Sequence, residues 1–121
     1  MSYIADLLNQ TVVPRVQSEL QPHLRSFYGG LIRRYLPQVW WFTTDSGKAT
    51  LHVDENGMAQ ALDGHFGQPD VSLSWTDHDA YASLTASDTS QVPAGTSAPA
   101  VQVHTRKGQA GYDQLRKRLG L

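Results

Sequence analysis

The chain has 121 residues, ten bases and eleven acids, a net charge of −1 and no cysteine. That length fits one domain with one core. Without cysteine the core has no disulfide support, and thiol catalysis and cysteine-bound zinc are excluded. A near-neutral balance gives the molecule as a whole no attraction to nucleic acid.

The charges are unevenly spread. Residues 1–44 carry +2, residues 45–88 carry −7 and residues 89–121 carry +4. The chain has no run of about 18 apolar residues, the length needed to span a membrane. The start, MSYIADLLNQ, has Asp6 and no basic region, which makes a poor signal peptide. Together with the lack of cysteine, this reads as a soluble cytoplasmic protein.

Ser2 is a helix cap, and Ile4, Leu7, Leu8, Val12, Val16 and Leu20 recur at helical spacing behind it. Pro14 and Pro22 each remove an N–H, and Gly29-Gly30 is a further break. The expectation is a helix near 3–20, followed by shorter helical pieces to about Tyr35.

From Gln38 the period becomes two. Val39, Trp41 and Thr43 alternate with Trp40, Phe42 and Thr44, then Asp45-Ser46-Gly47 turns the chain. Ala49, Leu51 and Val53 form one side of a second strand. Asn56-Gly57 is a hairpin turn, and residues 58–62 make a weaker third strand. Val71, Leu73 and Trp75 mark a half-buried fourth strand. Thr76 caps a short helix with Asp77 and Asp79 in its first turn and Ala80, Tyr81 and Leu84 on its inner face. Residues 86–100 are small and polar, and read as a long mobile loop that could gate a cavity. Val101 and Val103 mark a fifth strand. A last helix over 108–119 places Tyr112, Leu115 and Leu119 on one face. Three sequential strands with terminal helices define an α+β chain: a five-stranded, mostly antiparallel sheet covered on one face. It reads as a single domain over 1–121, helical over 1–37, with the sheet and closing helices over 38–121.

Signals for chemistry are weak. His23, His52, His65, His78 and His104 form no spaced ligand pair, so no metal is implied. No serine lies in a nucleophile elbow, and Ser72 and Ser74 fall on the polar side of a strand. Asp54 and Glu55 border a turn. Gly108-Gln109-Ala110-Gly111 is read either as a plain helix start or as an anion contact through its backbone N–H groups. It is neither a phosphate loop nor a dinucleotide fingerprint. No catalytic residue, cofactor or metal is assigned. Adjacent Trp40 and Trp41 must face opposite sides of their strand, so one meets the core and the other meets helices, a ligand, a partner or water.

Three segments together resemble the sterol-carrier-protein type 2 (non-specific lipid-transfer) family. They are the strand pair Val39-Trp40-Trp41-Phe42-Thr43 and Ala49–Asp54, the strand-to-helix element from Gln68-Pro69-Asp70 through Trp75-Thr76-Asp77-His78-Asp79, and the closing helix. The chain departs from the family at His104-Thr105-Arg106-Lys107-Gly108, where a Gly-Asp ending is usual, and in its longer N-terminal region. The resemblance implies helices over one face of a five-stranded sheet, an apolar tunnel between them, and a ligand such as a sterol, fatty acyl chain or acyl-CoA.

The leading expectation is therefore non-catalytic binding or transfer of an apolar, lipid-like molecule. The alternative is a filled core whose exposed tryptophan face forms a homodimer or docks an enzyme. Strand alternation and helix spacing give a cavity wall of Trp41, Leu51, Val53, Leu73, Trp75, Leu84, Val101, Val103, Tyr112 and Leu115. Arg106, Lys107, Arg116 and Lys117 are expected to meet a headgroup, unless the last bases merely complement the helix dipole.

Overall fold

The computed structural model describes residues 2–26 and 29–121. The first helix, α1 (Tyr3–Arg25), is longer than the prolines suggest. Ser2 caps it by accepting from the Ala5 N–H at 3.2 Å. Pro14 and Pro22 are both solvent-exposed within the helix. Their cost is outweighed by one buried stripe: Ile4, Leu8, Val12, Val16, Leu20 and Leu24 are at most 8% exposed. Packing of an apolar face thus overrides local propensity. A short helix, α2 (Gly29–Arg33), follows.

The strands are β1 (Gln38–Thr44), β2 (Gly47–Val53), β3 (Ala59–Asp63), β4 (Val71–Ser74) and β5 (Ala100–Val103). Their order in the sheet is β3-β2-β1-β4-β5, antiparallel everywhere except the β1–β4 pair. Gly57 takes φ +77° in the β2–β3 turn, a conformation that costs glycine little. Helix α3 (Asp77–Leu84) is capped by Thr76, which accepts from the Asp79 N–H. Helix α4 (Arg106–Leu115) closes the fold.

Register fixes the two faces. Gln38, Trp40 and Phe42 oppose Val53, Leu51 and Ala49 across the β1–β2 pair, and Trp40 and Phe42 stand beside Val71 and Leu73 on β4. This side is the core. Helix α1 packs over β3 and β2, α3 packs on α1, and α4 touches β1, β4 and β5.

The other face carries Trp41, Thr50 and Ser72. The crossover from β3 to β4 runs across it. Thr50 Oγ1 donates to the Gly64 carbonyl at 2.7 Å and accepts from the Phe66 N–H at 3.0 Å. Trp41 donates its indole N–H to the Phe66 carbonyl at 3.0 Å and stacks on His65, centroids 4.5 Å apart. The chain's own crossover covers Trp41.

One further expectation is corrected. The last helix begins at Arg106, so Gly108–Gly111 lies within it rather than opening it. Its cap is Thr105, whose Oγ1 accepts from the Gly108 N–H. Within the loop 86–100, a 3-10 turn at Thr89–Gln91 is capped by Asp88, and the Thr89 N–H donates to the Lys117 carbonyl at 2.9 Å.

Candidate functional site

Between the end of α1, α2, the start of β1, the second half of α4 and the end of β2 lies a cavity of about 410 Å³. Its apolar wall includes Leu20, Ile32, Leu36, Trp40, Leu51, Val53 and Leu115. The polar groups are few: His23, Tyr35, Gln38 and Gln114. This volume falls within the range of small-molecule sites, and a mostly apolar lining with a few polar groups is their usual chemistry.

The floor is organised by Gln38, 3% exposed. Its amide N–H groups donate to the carbonyls of Tyr35 at 2.9 Å and Lys107 at 2.6 Å, and its Oε1 accepts from the Trp40 indole N–H at 2.8 Å. Three elements meeting at one amide hold the Trp40 ring in the wall. Helix α4 approaches closely because it has glycine at two contacts. A Cβ on Gly111 would lie 2.8 Å from both amide heteroatoms of Gln38, and one on Gly108 would lie 2.3 Å from the Asp70 carbonyl oxygen.

Asp70, 3% exposed, ties the strand starts to α4. Its carboxylate accepts from the Val39 N–H at 2.9 Å and the Thr105 hydroxyl at 2.7 Å. Lys107 Nζ sits 3.9 Å from the same carboxylate and donates to the Pro37 carbonyl at 2.7 Å. The Asp70 that carries the family resemblance is therefore a buried structural anchor.

Of the expected wall, only Leu51, Val53 and Leu115 line this cavity. Trp41 is on the opposite face, and Trp40 stands in its place. Leu73 and Leu84 are buried in solid core, and Trp75 packs there against Phe42, ring centroids 6.0 Å apart. Val101 and Val103 face the core side but lie on the edge strand, where Val101 is 37% exposed. Tyr112 touches Trp40 from behind, centroids 6.0 Å apart. Burial raises the Tyr112 phenol pKa, with Arg116 opposing the shift.

The expected headgroup cations do not converge. Lys107 is engaged with Asp70 and Pro37. Arg116 lies over the Tyr112 ring at 5.9 Å, and Lys117 borders a separate surface depression beside Thr89. Arg106 falls on the same helical stripe as Ala110 and Gln114, both of which line the cavity. No residue of 86–100 lines it.

The residues missed from sequence come largely from the segment around α2 and from α4. Tyr35, Leu36 and Gln38 flank a proline and show no periodicity, and Ala110, Gly111 and Gln114 are too small or too polar to suggest a wall.

Other chemistry is sparse. Ser72 Oγ and His104 Nε2 are 2.9 Å apart, but on the exposed face away from the cavity, with no carboxylate partner for His104 among the described residues. Among those residues no group of three metal-ligating side chains converges. No helix among them is long and apolar enough to cross a membrane.

The fold and cavity define an α+β domain with one covered sheet face and an apolar chamber at its end. Neither a family model nor a curated protein matches the chain. Among solved structures, it is similar to a protein described as UbiJ-SCP2 ubiquinone synthesis protein. The two share 17% identity with a TM-score of 0.51, covering 90% of this chain and 88% of the other. It is also similar to sterol carrier protein 2 from Yarrowia lipolytica in its apo form, at 12% identity and a TM-score of 0.44, covering 89% of each chain. The chain has the sterol-carrier-protein type 2 fold.

Proposed function

We propose that this protein binds an apolar, lipid-like molecule in the cavity walled by Trp40, Leu51, Val53 and Leu115, and carries it without a catalytic step of its own. The observation that supports this best is the chamber itself: about 410 Å³, walled mainly by aliphatic side chains and one tryptophan. Moving an alkyl chain into it gains about 0.8 kcal/mol for each methylene removed from water. His23, Tyr35 and Gln114 offer hydrogen bonds to one polar end of the guest. The description of a neighbour of the same fold as a ubiquinone synthesis protein agrees with a large apolar ligand class.

Arg106 and Lys107 both share helical stripes with cavity-lining residues, and because Lys107 is held by Asp70 and Pro37, Arg106 is the cation left to suit an acidic headgroup. Arg116 and Lys117 are exposed charges further away, and Lys107 has a structural role. A fluorescent fatty acid probe titrated into delipidated protein tests the reading. Saturable binding displaced by unlabelled lipid supports it; binding no stronger than that of an unrelated protein removes it.

A further inference from the structure

The turn that follows α1 is amphipathic. Ile32 and Leu36 point into the cavity, whereas Leu31 on the same turn is 52% exposed and Tyr35, at the cavity mouth, is 43% exposed. The turn is continued past α2 by the Tyr35 N–H to Ile32 carbonyl and the Leu36 N–H to Arg33 carbonyl bonds, each 3.0 Å. Arg33 and Arg34 are exposed between these apolar positions, and Arg25 is exposed at the adjoining end of α1. From residue 20 to residue 44 the chain carries these three arginines and no acid. The ion pairs among the described residues involve His23, Glu19, Lys107, Asp70 and Arg118, and none of these three arginines.

We propose that the Leu31–Tyr35 turn is a docking surface for an anionic lipid bilayer, with Leu31 and Tyr35 entering the interface and Arg33 and Arg34 meeting lipid phosphates. Charge identifies the occupant: unpartnered arginines beside exposed apolar side chains suit a surface that is negative outside and apolar beneath. Tyrosine has the ring and hydroxyl that such an interface accommodates. Position agrees with charge. The same turn walls the cavity through Ile32 and Leu36, so docking here brings the mouth against the bilayer. The surface is defined by its own residues, whatever the cavity holds.

The test is cosedimentation of the full chain with phosphatidylcholine vesicles, with and without phosphatidylglycerol, in low and high salt. The wild type is expected to prefer the anionic vesicles and to lose that preference in high salt. R33Q/R34Q is expected to weaken binding to them roughly 30-fold, and L31S several-fold. K48Q, which removes an exposed charge from β2, is the control and is expected to bind as wild type. Binding of the fatty acid probe by R33Q/R34Q, expected to match wild type, shows that the cavity is intact and separates this proposal from the one above. Equal binding to neutral and anionic vesicles, or R33Q/R34Q sedimenting like wild type, overturns the docking surface.

Discussion

The indole N–H of Trp40 donates to Oε1 of Gln38 at 2.8 Å, two residues back on the same strand face, and this pair sets the cavity floor. Because Gln38 also donates to the carbonyls of Tyr35 and Lys107, every polar atom of its side chain is used. Replacing Gln38 by leucine keeps the bulk but strands the buried Trp40 indole N–H and two part-buried carbonyls. The expected loss is about 1–3 kcal/mol of stability, read from denaturant midpoints. Stability equal to wild type would show that the amide does not organise the site.

The face assignment makes a paired prediction. Ala110→Trp projects a large ring into the cavity and is expected to lower affinity for the fatty acid probe at least roughly tenfold, since burial of several methylenes is lost. Trp41→Phe, on the far face under the crossover, is expected to leave probe affinity unchanged. The reverse result would place the binding wall on the Trp41 side.

That choice of face was beyond the sequence. Trp40 with Phe42 and Trp41 with Val39 are equally apolar sets, and alternation alone cannot say which turns inward. Here the β3–β4 crossover decides it: Thr50, beside Trp41 on β2, holds Gly64 and Phe66, and His65 and Phe66 cover Trp41. The strands were readable because turn residues such as Asp45-Ser46-Gly47 and Asn56-Gly57 bound them. Pro14 and Pro22 signal breaks in α1 locally, while the stripe reaching Leu24 is a tertiary effect that local signals do not carry. Most of the cavity was hidden for a related reason: Gly111 and Ala110 matter through what their small size lets approach.

Lys107, held by Asp70 and the Pro37 carbonyl, contrasts with Arg106, the cation proposed to meet a headgroup. Asp70→Ala removes the acceptor for the Val39 N–H and the Thr105 hydroxyl and is expected to cost about 3 kcal/mol. Lys107→Met is expected to cost about 1 kcal/mol. Arg106→Gln is expected to leave stability unchanged but to weaken binding of a fatty acid carboxylate several-fold in low salt, with high salt mimicking the variant. Calorimetry of the three variants beside probe titrations distinguishes them. An Arg106→Gln protein that binds the carboxylate like wild type at low salt would remove the headgroup role.

Alkaline pH tests the packing behind the wall. Burial raises the Tyr112 pKa above 10.0, its ordinary value, so the folded state holds the phenolic proton more tightly than the unfolded chain. That contribution is complete below about pH 10 and is lost as pH rises through the higher folded-state pKa. Denaturant midpoints are therefore expected to fall over this alkaline window, and Tyr112→Phe is expected to flatten part of the fall. An identical slope in the variant would show that Tyr112 is no more buried than in the unfolded chain.

The central claim is that the chamber beside Trp40 holds an apolar guest, and native mass spectrometry of the purified protein beside its denatured mass tests it most directly. The account predicts a native mass above the chain mass, with the excess released as a lipid-like species on denaturation, and a smaller excess in Ala110→Trp. A native mass equal to that of the bare chain or its exact double, unchanged after incubation with excess fatty acid, would contradict it.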